Sequence, residues 1–124
     1  MNSTFTKIVR YLLALMLLVF GLNKFLKLLP MPELPPSAAE FMTELAATGY
    51  VLPVVGAIEI FIGILLLINK WTPFALVLLA PISVNILLFH LFLDLPGIGG
   101  ALIVAILNGI LIYKHWSKFR PLFA

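Results

Sequence analysis

Two ionisable pairs stand out in a chain that otherwise offers little chemistry. Glu59 lies inside the apolar run VGAIEIFIGILLLI. A carboxylate in such surroundings either takes up a proton or finds a cation. If Val51 starts that helix at the membrane edge, Glu59 sits roughly 12 Å below it at the helical rise. Lys24, near the end of the first apolar segment, lies at a comparable depth and has a stem long enough to reach it. The second pair is His90 with Asp94, at i and i+4. On one helix face they can bond to each other, and the carboxylate then fixes the imidazole tautomer. Either pair could handle protons or face a ligand; Lys24 with Glu59 could equally be a structural lock between helices, and His90 a satisfied interfacial histidine.

Asn85 and Asn108 are further intramembrane polar side chains. In tight bundles such residues join helices by hydrogen bonds. Asn85 and His90 differ by about 140° around one helix, so Pro81, Asn85, Phe89 and Phe92 form one stripe and Ser83, His90 and Asp94 another. Pro81 lacks a backbone N–H and is expected to kink the helix, freeing the Val77 carbonyl. No G-x-G-x-x-G, no H-E-x-x-H and no cluster with metal-ligand spacing occurs, so no metal is expected. His115 lies toward the opposite end from His90, which argues against a two-histidine haem. The absence of cysteine removes disulfides, thiol chemistry and Fe–S sites.

The elements that position these residues follow from composition. Of 124 residues, 63% are hydrophobic and 10% charged. A soluble domain this small could not bury so much apolar surface. The expected fold is an all-α membrane protein, a four-transmembrane-helix bundle with an amphipathic helix in the first outer loop, formed as a single transmembrane domain over 1–124. A span needs roughly 20 helical residues, and the segments 8–29, 51–69, 72–93 and 98–116 come close to that. The fourth is weakest, because Gly97, Gly99 and Gly100 interrupt its start. The first reads as a retained span rather than a signal peptide, since its apolar run continues past Phe20 with no A-x-A-like site.

Charge gives an orientation. Lys7, Arg10, Lys70, Lys114, Lys118 and Arg120 fall on one side of a four-span chain, and Glu33, Glu40, Glu44, Glu59 and Asp94 fall in the other half. The positive-inside rule then places both termini in the cytoplasm; the expected location is a bacterial cytoplasmic (inner) membrane. Lys24 and Lys27 break the pattern. The net charge of +3 is too small and scattered for a nucleic-acid surface. Gly56, Glu59 and Gly63 share one helix face. Small residues there admit a neighbouring backbone and carry the carboxylate inward with them.

The first outer loop opens with Pro30, Pro32, Pro35 and Pro36, a stiff extended stretch. Ser37 to Glu40 has the S-x-x-E form of a capping box. Ala38, Phe41, Met42, Leu45 and Ala46 recur at helical spacing before Gly49. A short amphipathic helix over about 38–48 follows, lying on the membrane or folded over the bundle mouth.

Taken together, LLALMLLVFGLNKFLKLLP (12–30), TGY (48–50) leading into VGAIEIFIGILLLINK (55–70), ALVLLAPISVNILLFHLFLD (75–94) and YKHWSKFRPLF (113–123) resemble the DoxX/DoxD family of small four-helix integral membrane proteins. The resemblance implies a redox-associated accessory subunit, since some members of that family belong to thiosulfate:quinone oxidoreductases or accompany other oxidoreductases. It implies an oxidoreductase partner subunit, and a quinone or other small apolar ligand. The family positions that carry over are Asn23, Lys24, Glu59, Asn85 and His90. Lys24, Glu59, Asn85 and His90 are thus the ligand-binding or proton-handling candidates, with Asn23, Asp94 and Asn108 as supporting polar groups. The alternative is a non-catalytic membrane binding or assembly protein in which the polar cluster is a lock. Homo-oligomers fit either, and a transporter fits less well with four helices and no internal repeat.

Overall fold

The computed structural model describes residues 3–27, 29 and 33–124. Helix α1 spans Ser3–Leu26, α2 Pro36–Ala47, α3 Val51–Ile68, α4 Thr72–Leu93 and α5 Gly99–Lys114. A 3-10 turn, Leu95–Gly97, joins α4 to α5, and α6, Trp116–Phe119, is followed by a second such turn, Arg120–Phe123. The protein is all-helical among the described residues. Pro30 and Pro32 of the expected stiff stretch lie outside them.

Helices α1, α3 and α4 are each long and apolar enough to cross a membrane. The fourth expected span is shorter than 98–116. Helix α5 ends at Lys114 and reaches spanning length only together with Trp116–Phe123, from which it is bent by 78°. His115 makes the break. Its backbone leaves the helical region at φ −107° and ψ 21°, and its Nδ1–H donates to the Leu111 carbonyl at 2.9 Å, satisfying a helix-end acceptor. Beyond the bend, Phe119 turns back and is buried as part of the core.

α1 packs on α3 and α5, and α4 packs on the same two helices, closing a ring of four. Its centre is filled by Leu13, Leu17, Ile62, Leu66, Leu76 and Leu111, all buried. Leu12, Leu15, Val19, Phe61, Val84 and Ile106 point outward and are exposed. Apolar side chains on both sides of a helix suit a bilayer, where packing rather than exclusion of water joins the helices. The closest approach is between α1 and α3. A Cβ on Gly21 would stand 2.8 Å from the Gly56 carbonyl oxygen, and one on Gly56 would stand 3.1 Å from that of Gly21. Two glycines face each other because nothing larger fits between the backbones.

Helix α2 begins at Pro36, earlier than the capping-box reading requires. Proline suits the first helical position, since the N–H it lacks would have no partner there. Ser37 is then already inside the helix, and no side chain caps its start. The other end matches expectation. Gly49 adopts φ +80° and stops the helix. Thr48 Oγ1 donates to the Leu45 carbonyl at 2.6 Å and accepts from the Val51 N–H at 3.2 Å, tying the end of α2 to the start of α3. Phe41 stacks on Phe89 of α4 at 5.6 Å between centroids, and Ala38 is fully buried, so α2 is folded over the bundle.

Candidate functional site

At the end of the bundle beneath α2, the helices splay around a cavity of about 840 Å³. Leu17, Phe20, Leu52, Leu79, Ile86 and Val104 give it an apolar wall. Ala39, Met42, Thr43 and Ala46, one face of α2, form its roof. The polar groups converging on it are Asn23, Lys24, Lys27, Glu59, Ser83 and His90.

The Gly21–Gly56 crossing sets the first pair. Because α1 and α3 run antiparallel, Lys24 stands one turn to the mouth side of the crossing and Glu59 one turn to the interior side, on the faces of the two glycines, and both side chains lean back toward it. Lys24 Nζ donates to Glu59 Oε1 at 2.6 Å. The carboxylate is buried at 2% exposure and the ammonium keeps 23%, so the lysine reaches in from the mouth and the glutamate is the interior partner. A short contact between opposite charges in an apolar wall is a charge-assisted hydrogen bond, stronger than a neutral one.

His90 and Asp94 also meet. Nδ1 of His90 lies 3.2 Å from Asp94 Oδ2 and 3.2 Å from the Asp94 carbonyl oxygen. Asp94 is buried against Gly97, whose missing side chain leaves room for the carboxylate. The edge of the His90 ring stacks on Phe89, and that ring in turn meets Phe41 of the roof. The second pair is therefore coupled by contact to α2.

The remaining candidates separate. Asn23 lines the cavity, and its Oδ1 accepts the Leu29 N–H at 2.7 Å, securing the chain as it leaves α1. Asn108 is buried away from the cavity, where its Nδ2 donates to the Leu76 carbonyl at 3.3 Å and joins α5 to α4. Asn85 is exposed on the outer face of α4 and donates to the Pro81 carbonyl of its own helix at 2.8 Å. It reaches no neighbouring helix among the described residues. Helix α4 is continuous through Pro81.

One charged residue has a role that sequence reasoning does not reveal. Arg10, read as a surface charge, is buried at the opposite end of the bundle. Its Nη1 donates to the Leu66 carbonyl and, at 3.3 Å, to that of Leu67, at the C-terminus of α3. A cation there meets the negative end of the helix dipole. The same end is closed by a Schellman motif. Asn69 is left-handed at φ 54°, its N–H donates to Leu66 O at 3.3 Å, and the Lys70 N–H donates to Leu65 O at 3.0 Å. The roof residues Met42 and Thr43 were legible in principle, since Ala39, Met42, Thr43 and Ala46 have helical spacing. No sequence signal says which face of an isolated loop helix looks inward. Among the described residues, no group of three or more His, Asp or Glu side chains could hold a metal ion.

The family model described as DoxX matches residues 5–91, more than half of the chain, and these include α1 to α3 and most of α4. The searches of curated proteins and of solved structures returned no match. The matched segment holds the Gly21–Gly56 crossing, the Lys24–Glu59 pair and His90. The chain is an integral membrane protein and belongs to the DoxX family.

Proposed function

We propose that this chain is a redox-associated accessory subunit whose cavity takes the head of a quinone or a comparable small apolar ligand. The observation that carries the reading is the cavity itself. Its volume of about 840 Å³ falls in the roughly 300–1,000 Å³ range of small-molecule sites. Such sites combine an apolar wall with a few convergent polar groups, as this one does. A quinone-class head presents two oxygens, carbonyl or hydroxyl according to its redox state, on a flat ring, and Lys24 and His90 supply polar atoms at the wall to meet them. Glu59 keeps Lys24 in place and balances its charge. The ring would supply the electron chemistry when bound, and the chain's own groups bind, orient and exclude water. The same reading places the cavity end on the outer side of a bacterial inner membrane, counts the bent α5 as a fourth span and gives the subunit an oxidoreductase partner.

One observation favours a second reading, a membrane assembly protein with no small ligand. Lys24 and Glu59 satisfy each other at 2.6 Å, which is what a lock between α1 and α3 requires. Mass spectrometry of small molecules extracted from protein purified in mild detergent separates the two. The first reading expects a quinone-class molecule in near-stoichiometric amount. Bulk lipid alone, in repeated preparations, would leave only the lock. Orientation is tested separately: a cysteine at Ser37 should react with an impermeant thiol reagent on intact cells and one at Ser117 should not.

A further inference from the structure

We infer that His90 presents a bare Nε2 to the cavity, as the neutral Nδ1–H tautomer, so that the site prefers a ligand with a hydroxyl donor, the hydroquinone, over its carbonyl-only quinone. The inference rests on the quinone-class reading of the cavity and names the form that the site is built for.

The argument is one of donors and acceptors. Nδ1 of His90 has two oxygens at 3.2 Å, one from the Asp94 carboxylate and one from the Asp94 backbone carbonyl. An ionised carboxylate and a carbonyl only accept hydrogen bonds. A bare Nδ1 would set three acceptors against one another, so Nδ1 carries the proton. In the neutral ring the other nitrogen is then an acceptor. No hydrogen bond is made to Nε2 among the described residues, and no buried side-chain nitrogen or oxygen among them lacks a partner. Nε2 is therefore accessible, on a residue that lines the cavity. Glu59, the other interior group on that wall, contributes only acceptor oxygens when ionised. Lys24 gives it one of three N–H donors, and a ligand oxygen that accepts from another does so as a carbonyl or as a hydroxyl, so Lys24 does not distinguish the two forms. A carbonyl facing Nε2 would bring two acceptors together, whereas a hydroxyl would donate to it.

The device depends on Asp94. An asparagine there could offer its amide N–H to Nδ1 and move the ring proton to Nε2, the tautomer that suits a carbonyl. Gly97 leaves the room that the carboxylate occupies beside the ring, since a Cβ there would collide with Asp94 Oδ2.

The test uses the full chain in detergent under anaerobic conditions, titrated with a short-chain hydroquinone, its dimethyl ether and the matching quinone. The hydroquinone should bind roughly tenfold or more tightly than either analogue, the scale of one hydrogen bond made or an acceptor left unpaired. In Asp94→Asn that preference should vanish or invert. Nitrogen-15 shifts of the His90 ring, assigned in a His115→Gln background, should show Nδ1 protonated and Nε2 bare without any ligand. Equal binding of hydroquinone and quinone by the wild-type chain overturns this inference and leaves the cavity reading standing. Binding of none of the three sinks both. An Nε2–H tautomer or an imidazolium in the spectra also overturns it, and so does a preference unchanged in Asp94→Asn. The wild-type titration and spectra decide the matter even if the variant does not fold.

Discussion

Arg10 and Lys24 lie near opposite ends of the same helix, and α3 holds both of them, in different ways. Arg10 donates to backbone carbonyls at the end of α3, where Leu66 and Leu111 fill the interior. Lys24 donates to a side chain, Glu59, at the edge of a cavity of about 840 Å³. At the first end the charge completes hydrogen bonding that the main chain would need with any sequence. At the second the chain has placed a carboxylate where hydrophobic packing alone would have put leucine. A buried ion pair is weak grounds for stability, because the desolvation of both charges opposes their attraction. Its retention beside open volume, under a helix folded over the mouth, is what supports the proposal of a ligand site at the cavity end.

The contrast should be sharpest in stability measurements on purified protein. Glu59→Gln or Lys24→Met alone leaves one charge uncompensated, and each should cost about 3–5 kcal/mol, the range for breaking a buried pair. Lys24→Met should be the more severe of the two, because the glutamate left behind is at 2% exposure against the lysine's 23%. The double variant should recover much of the loss. Arg10→Met should cost less, about 1.5–3 kcal/mol for hydrogen bonds made by a charged group. No second side-chain change should restore it, because its partners are carbonyls. Full rescue of Arg10→Met by a single substitution would break the comparison.

Gly21→Ala tests the scaffold that brings the cavity pair together. Its methyl would press on the Gly56 carbonyl, so a loss of about 1–3 kcal/mol is expected, as for other overpacked contacts. The helices should also separate enough to loosen Lys24 from Glu59. A neutral Gly21→Ala would mean that the crossing is not set by glycine. Asn108→Ala should have the smallest effect, about 0.6 kcal/mol, typical of interhelical hydrogen bonds in membranes, with ligand retention unchanged.

Much of the cavity end is legible in the sequence because its signals are periodic. Gly56, Glu59 and Gly63 mark one face of α3, and that face is buried with the carboxylate in it. His90 and Asp94 advertise contact by their spacing, and they touch. The helix boundaries follow from apolar runs and from stops such as Gly49. What the sequence hides is where backbone acceptors lie. Arg10 reads as a topological charge since the carbonyls of Leu66 and Leu67 leave no mark in residue types. Asn85 shows the converse. An asparagine four residues after Pro81 can satisfy itself on its own helix, so its periodicity could not say whether it faced a neighbour. The end of α5 was hidden for a similar reason, since the His115 side chain caps the Leu111 carbonyl, a backbone acceptor that residue types do not show. The start of α2 was misplaced because Pro36 competes with Ser37 for the terminus.

The central claim is that the polar groups at the cavity end serve a ligand as well as the fold, and the Lys24→Met/Glu59→Gln double variant tests it most directly. Thermal stability and the amount of co-purifying small molecule are measured on the same preparations of wild type, both single variants and the double. The account predicts that stability largely returns in the double variant while the bound molecule does not. A double variant that regains stability and keeps the wild-type amount of ligand would contradict it, leaving Lys24 and Glu59 as a lock between two helices.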